Sequence, residues 1–483
     1  MAMTLSELLC AAGVPAEAAG VRITGLSLDS RVVKPGDLFF ALSGTHADGL
    51  AFAPAAVRAG AAAIIAEKAP REPVGVPCLV IADARAALAA AAARFYPRQP
   101  SIIVAVTGTA GKTSVAEFAR QVFAVLGRRA ASLGTLGVIK PGASAYGSLT
   151  TPDPVALHRT LDELSGEGVT HLAMEASSHG IEQKRLDGAR LSAAAFTNLG
   201  RDHLDYHADM EAYFQAKLRL FHELLPKGRP AVINADGAWS DRLIADCEAR
   251  ARPVISVGRA GKDIRLIGIR RDGFRQHLSL DVTARRSDVD LPLAGAFQVE
   301  NALTAAGLAI AVGETPDAAI AALASVKGVP GRLELAGKAK GGLVFVDYSH
   351  KPEALANAIS ALRPFTSGRL VVVFGCGGDR DPGKRPIMGK IAVENADRVI
   401  VTDDNPRSED PAAIRHAVLR GAPGAIEIGD RAEAIGTAVR GMGAGDVVLV
   451  AGKGHETGQI IGRRTLPFSD HEAVAAAIAE LAA

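Results

Sequence analysis

The segment that most restricts what this chain can fold into is residues 102–126. A short β-branched run, Ile102 to Val106, leads into a glycine loop, Thr107-Gly108-Thr109-Ala110-Gly111-Lys112-Thr113-Ser114, and then into the helical pattern 115–126. An apolar strand joined by a tight loop to an amphipathic helix is half of a βαβ crossover, which requires parallel neighbours covered by helices. Glycines let the loop fold so that successive N–H groups face phosphate oxygens, and the helix N-terminus adds the positive end of its dipole. Gly108, Thr109, Ala110, Gly111 and Ser114 would form the cradle. Lys112 would reach the β- and γ-phosphates, and Thr113 would offer a hydroxyl to Mg²⁺. The loop departs from GxxxxGK[ST], since Val106 stands at the first glycine position. The plain alternative is a helix start in a surface loop. A strand before it and a helix after it favour a nucleoside triphosphate site.

The alternation continues along the chain. Residues 171–175, 194–197 and 231–233 read as further strands, and 264–282 as a small antiparallel excursion. Residues 343–346, 370–374, 399–401 and 447–450 repeat the pattern as a second doubly wound unit. The leading third is less regular, with alternation over 21–28 and 38–42 and a helical stretch over 54–62. Breaks at Pro97 to Pro100 and Gly328 to Gly331 divide the chain into 1–98, 99–328 and 329–483. A length of 483 residues suits about three domains. The expected fold is α/β: a small α/β N-terminal domain, a central P-loop parallel-sheet domain and a C-terminal Rossmann-like domain.

Charge and composition exclude several functions. Lys and Arg total 54 against 52 Asp and Glu, a net +2, so no global field recruits nucleic acid or an anionic membrane. Aromatic residues are 4%, too few for base-stacking platforms. The cysteines (Cys10, Cys78, Cys247, Cys376) are widely separated and form no CxxC pair, which argues for a reducing compartment and against structural zinc. The Ala-rich stretches are interrupted by charge before they reach the roughly 20 residues of a membrane span. A cytoplasmic monomer is expected.

Two further segments supply carboxylates and imidazoles. Glu175, in MEASSHG, ends an apolar strand, and in a parallel sheet ligands gather at such carboxyl ends. A hard Mg²⁺ would take this carboxylate beside the phosphates, whereas the plain reading is a turn cap. His203, in NLGRDHLDYH, follows the next strand and would position an oxygen or a metal, or serve structure alone. In the helix from about 210 to 225, Gln215, Arg219 and His222 fall on the solvent stripe, while Lys217 shares a face with Phe214 and Phe221. Periodicity leaves two readings for Lys217. Its ammonium snorkels to the surface, or its amine reacts with CO₂ to a carbamate able to coordinate Mg²⁺.

Taken together, TGTAGKTS, MEASSHG, NLGRDHLDYH and the helix containing AKLRLF resemble the Mur ligases over essentially the whole chain. The resemblance implies that Lys217 is carbamylated (an N6-carboxylysine) and that Thr113, Glu175, His203 and Lys217 surround Mg²⁺. With Lys112 these form the catalytic set. It implies that Leu28, Ser30, Thr45, His46 and Ala47 hold the uridine diphosphate end of a UDP-N-acetylmuramoyl-dipeptide, and that Thr150, Thr151, Ser177, Gln183 and Arg185 grip its muramoyl-peptide. Asn301, Arg332 and Asp347 fall to the remainder of ATP. Substrate choice rests on Asp404-Asn405-Pro406-Arg407, which resembles the form that takes meso-diaminopimelate: a second carboxylate calls for a guanidinium. Arg380, Gly452 and Glu456 match positions expected to hold the same amino acid.

The activity so implied is ATP-dependent amide formation between UDP-N-acetylmuramoyl-L-alanyl-D-glutamate and meso-diaminopimelate through an acyl phosphate. The rivals are a lysine-adding relative, which lacks the Arg at 407, and folylpolyglutamate synthase, which lacks the long leading domain with LDSR. From another class, a P-loop regulatory ATPase would hydrolyse ATP without ligating anything.

Overall fold

The strand Ile102–Thr107 forms because its residues are apolar or β-branched with no polar alternation; five of the six are buried, as a strand covered on both faces requires. In the computed structural model, which describes residues 2–10, 14–44, 47–145, 149–204, 206–272 and 275–482, it lies between His171–Glu175 and Ala193–Phe196, both parallel to it. From the edge, the order is Ala143–Ala145, Gly137–Lys140, Ala130–Gly134, His171–Glu175, Ile102–Thr107, Ala193–Phe196, Ala231–Asn234, Val254–Gly258. The first two are antiparallel additions. Glu175 pairs with Val106 and Phe196 with Thr107, so the loops after all three strands open on one sheet edge.

The chain divides into two compact units. The first comprises Met1–Arg265, Asp281–Arg285 and Leu303–Ala319; the second comprises Leu266–Leu280, Arg286–Ala302 and Ile320–Ala483. The first unit holds a second sheet, Gly25–Ser27, Asp37–Ala41, Ala63–Ala66 and Cys78–Val80, all parallel. The expected strand 21–28 is instead two short ones, Arg22–Ile23 and Gly25–Ser27. Between them Thr24 turns its hydrogen bonds to Gly36 O (2.9 Å) and Pro35 O (3.2 Å). Helix Ala84–Phe95 packs on helix Pro154–Gly166. Arg98 grips Asp162 beside that contact (2.7 Å), and Lys184 pairs with Asp83, the cap of the first helix. The strands expected over 264–282 are Ile264–Asp272, which starts parallel to Val254–Gly258, and Arg275–Val282, and a third, Arg285–Leu291, follows them.

The helix expected over 210–225 is α-helical over Met210–Arg219 and widens to one π turn over Leu220–Leu224. Its outer stripe is less open than periodicity suggests. Gln215 is exposed, but Arg219 is half-buried between Asp187 (2.6 Å) and Glu223 (2.6 Å), and His222 pairs with Asp246. Side chains from distant segments cover a face the helix alone would give to water.

In the second unit the sheet order is Glu334–Ala339, Gly342–Asp347, Val447–Ala451, Leu370–Phe374, Arg398–Val401, Ile426–Glu427, parallel except for the first. Its centre is a doubly wound core: Leu370, Val372, Phe374, Leu449 and Ala451 face one helical layer, and Val371, Val373, Val448 and Val450 the other. Within it Arg431 and Asp470 form a wholly buried ion pair at 2.7 Å. Arg431 also donates to Ala451 O (3.0 Å), at the end of one strand, and to Asp403 O (3.4 Å), just past another. Removing one member strands a buried charge, so Asp470→Ala should cost about 3–5 kcal/mol in denaturant unfolding. A loss below about 1 kcal/mol would mean the pair contributes little beyond an exposed one. No helix among the described residues is long and apolar enough to cross a membrane.

Candidate active site

The phosphate loop takes its shape from two glycines. Gly108 has φ +148°, and a Cβ there would lie 1.9 Å from Thr197 Oγ1; Gly111 caps helix Lys112–Val125 at φ +85°. Thr197 and Asn198, just past the next strand, latch the loop. Thr109 N–H donates to Asn198 O (2.9 Å), Ala110 N–H to Asn198 Oδ1 (3.0 Å), and Thr197 Oγ1 to Ala110 O (2.6 Å). Lys112 Nζ folds back onto Gly108 O (2.9 Å) and Thr109 O (3.0 Å). Thr113 and Ser114 are buried at the helix start. Thr197 ends the expected strand 194–197 and Asn198 opens the NLGRDHLDYH segment, but neither was assigned this latch, although their place at the carboxyl end of a strand of the same sheet was the signal available.

Lys217 does not snorkel. It is 1% exposed; its Nζ donates to Gly108 O (3.0 Å) and sits 4.2 Å from the centre of the Tyr213 ring. Burial, reinforced by the Lys112 charge and opposed by Asp202, holds its pKa well below the ordinary lysine value. The amine is therefore biased toward its neutral, nucleophilic form, the form that reacts with CO₂. Tyr213, whose phenol meets Thr109 Oγ1 at 3.2 Å, is pushed up to about 12 by burial.

Glu175 is buried at the strand end, accepting from Thr135 N–H (2.6 Å) and Thr135 Oγ1 (3.3 Å). From there hydrogen bonds run outward. Thr135 Oγ1 meets Thr150 Oγ1 (3.0 Å), and Thr151 Oγ1 donates to Glu175 O (3.0 Å) while accepting from Ser177 N–H (3.0 Å). Arg185 donates to Thr151 O (2.8 Å) and Gln183 Oε1 (2.7 Å). Thr150, Thr151, Ser177, Gln183 and Arg185 are thus brought together. His203, at φ +53°, lies 4.9 Å from the His179 ring and 6.0 Å from Tyr213 between centroids, with its N–H on Asp202 Oδ1 (2.9 Å).

A cavity of about 350 Å³ is lined by Ser43, Gly44, Arg85, Glu182, Gln183 and Tyr206. Among the described residues its lining takes in Gln183 but not Leu28 or Ser30, which lie on the surface connection after Gly25–Ser27. Ala47 O accepts from Gly44 N–H (2.9 Å). Thr45 and His46 lie outside the described residues, as does Asp205 of the NLGRDHLDYH segment. Tyr206 falls within the NLGRDHLDYH segment but was given no role of its own, and Arg85 was missed because nothing local distinguishes it from a surface residue.

The second unit assembles two groups. Gln298 links Asn301 (3.2 Å) to Arg332 O (2.9 Å). The Arg332 guanidinium lies 4.8 Å from the Tyr348 ring centre, and Asp347 accepts from Leu333 N–H (2.6 Å) and Ser349 N–H (2.8 Å). The other group is the expected amino acid cradle. Asn405 Nδ2 donates to Glu456 Oε2 (2.9 Å), and Lys453 Nζ binds both Asn405 Oδ1 (3.0 Å) and Glu456 Oε2 (2.9 Å). A Cβ on Gly452 would lie 2.7 Å from Asp404 Oδ2, and burial pushes that carboxyl up against the pull of Arg431 and Lys453. Past Pro406, Arg407 Nη1 donates to Gly378 O (2.8 Å). Arg380 is exposed on the neighbouring loop and reaches only Asp379 O (3.0 Å) through the hydrogen bond seen here. Lys453 was missed because a buried lysine cannot be told from an exposed one in a glycine-rich turn.

Comparison with known proteins bears on all three regions. Residues 22–96 match the family model described as Mur ligase family, catalytic domain. Residues 106–309 match the Mur ligase middle domain, and residues 331–454 the Mur ligase, glutamate ligase domain. The UDP-N-acetylmuramoyl-L-alanyl-D-glutamate–2,6-diaminopimelate ligase of Bradyrhizobium diazoefficiens is 58% identical over 472 residues, 97% of each chain. The protein of that name from Caulobacter vibrioides is 52% identical over 455 residues, 93% of this chain and 94% of its own. A solved structure of such a ligase superposes with a TM-score of 0.74 at 34% identity, covering all of both chains. MurF from Acinetobacter baumannii shares the fold at 22% identity, with a TM-score of 0.66 and 99% of each chain covered.

Proposed function

The chain belongs to the Mur ligase family, and from that premise we infer that it is an ATP-dependent ligase of peptidoglycan precursor synthesis. It joins the D-glutamate of UDP-N-acetylmuramoyl-L-alanyl-D-glutamate to meso-2,6-diaminopimelate. The observation that carries this reading is the 58% identity, over 97% of both chains, to a ligase named for that reaction. The domains are read as 1–98 for the UDP end of the acceptor, 99–328 for ATP and ligation, and 329–483 for the amino acid and part of ATP. The four cysteines are free, in keeping with a cytoplasmic setting.

The glutamate carboxylate attacks the γ-phosphorus of ATP, and the resulting acyl phosphate is opened by the amine of diaminopimelate, forming the amide and releasing phosphate. Two anions must meet in the first step. Lys112 would leave its own loop carbonyls to follow the transferring phosphoryl group, while the N-terminus of helix Lys112–Val125 faces it with its amide dipoles. Thr151, Ser177 and Arg185 would orient the muramoyl-peptide, with the cavity beside Gln183 and Tyr206 admitting its polar body.

The donors fit Mg²⁺. The Thr113 hydroxyl, the Glu175 carboxylate and a carbamate on Lys217 would each offer a hard oxygen, and His203 shares the Tyr213 ring as a neighbour with Lys217. Among the described residues no three unmodified His, Cys, Asp or Glu form a metal cluster. A Mg²⁺ bound through one or two carboxylates and substrate phosphates needs none. When bound, the ion supplies positive charge to the phosphoryl oxygens. In the second unit Arg407 would pair with the distal carboxylate of diaminopimelate, and Asn405 and Glu456 would receive its amino end.

An amino acid panel tests the reading. With ATP and the nucleotide-dipeptide acceptor, phosphate release should depend on meso-diaminopimelate, and lysine should support less than about a hundredth of that rate, a discrimination a hydrogen-bonding site readily achieves. Equal turnover with lysine would transfer the chain to the lysine-adding branch. ATP hydrolysis indifferent to any amino acid would indicate a regulatory ATPase.

A further inference from the structure

Arg407 is a non-glycine residue in the left-handed region, at φ +52°. An L side chain is disfavoured there, so something outside the loop holds it. The ribbon made by Gly458–Ile461 and Arg464–Pro467 does so. Arg407 N–H donates to Ile460 O (3.0 Å), and Arg407 O accepts from Gly462 N–H (2.6 Å). Ile460 N–H donates to Asn405 Oδ1 (2.9 Å), and Gln459 Nε2 to Asp404 O (2.8 Å). Four hydrogen bonds thus tie the ribbon to residues 404–407.

The ribbon contributes little to a core. All four residues of its outer strand are exposed, including Leu466 at 45%, and it forms a separate two-stranded sheet. Such a ribbon is marginal on its own and persists through what it docks against. Here that partner is the specificity loop. We propose that the 458–467 ribbon is a specificity element for the amino acid substrate, with Gln459 as a positioning residue that holds the Arg407 guanidinium at its station beside Gly378. The inference rests on the reading that residues 404–407 receive the amino acid.

Gln459→Leu keeps the bulk of the side chain and deletes the donor to Asp404 O. It should raise KM for meso-diaminopimelate about tenfold, as loss of one such hydrogen bond does. KM for ATP and the thermal midpoint should stay unchanged, and the preference for diaminopimelate over lysine should narrow. Ile460→Pro, which removes the donor to Asn405, should act in the same direction. Arg407→Ala runs alongside as the reference. If it raises KM for diaminopimelate while both ribbon variants match wild type, or shift the KM values for ATP and diaminopimelate equally, the proposal is overturned and the loop assignment stands. If Arg407→Ala itself leaves that KM unmoved, the loop assignment falls and the ribbon's role with it.

Discussion

Lys217→Ala is expected to lower kcat by about a thousandfold, the loss of roughly 4 kcal/mol of transition-state stabilisation that removing a metal anchor entails. Addition of a short carboxylic acid should restore part of it. The amine is sealed against Tyr213 and Gly108 O, where a permanent ammonium is costly. The neutral amine instead adds to CO₂ and loses a proton, leaving a carbamate anion that is useful if a divalent ion lies beside it. Truncation to Ala would vacate the volume of the lost stem, space of the size that acetate or formate would occupy. Wild-type enzyme supplied with isotopically labelled bicarbonate should also show a carbamate signal that the variant lacks. An active wild-type preparation without that signal would refute the modification, and full activity of the variant would remove Lys217 from the chemistry.

Arg407→Ala should raise KM for meso-diaminopimelate by roughly 30- to 5,000-fold, corresponding to the 2–5 kcal/mol typical of truncating one partner of a hydrogen-bonded charge pair. KM for ATP should move less than about twofold, since distant sites contribute independently. The loop is built in advance for this pairing. Asp404, Asn405, Lys453 and Glu456 satisfy one another beneath it, leaving the guanidinium fastened only by carbonyls. A carboxylate is a stronger acceptor for that group than Gly378 O, so the substrate's distal end can claim it. Equal losses for ATP and diaminopimelate would assign Arg407 to the fold instead.

Much of the architecture was readable from residues alone where strands are covered on both faces. His171–Glu175 and Leu370–Phe374 fall where their apolar runs lie, because such runs have few other ways to be buried. Ala63–Ala66 and Ala130–Gly134 were not anticipated: in AIIA two strand-favouring isoleucines are too short a run to stand out after an Ala-rich helix, and AASLG has no β-branched residue, so sheet neighbours decide both. Lys217 shows the same limit at the site. Periodicity placed it on the apolar face, but whether the ammonium escapes depends on Tyr213 and on a carbonyl 109 residues earlier. Gln459 was invisible for a like reason, its partner carbonyl lying 55 residues away. The motifs announce which side chains meet the substrates and are silent about what props them.

The hydroxyls that branch from Glu175, Thr135 and Thr150 from its carboxylate and Thr151 and Ser177 from its carbonyl, bear on how such an enzyme can change over time. Both branches are rooted on Glu175, so a substitution that adapts the grip on a different sugar-peptide also perturbs the acidic group they share. Drift toward a new acceptor is therefore penalised twice. The amino acid end hangs on a surface ribbon with little stake in any core. Innovation in this lineage should accumulate there, with new wall chemistries arising by exchanging the incoming residue while the carrier stays the same.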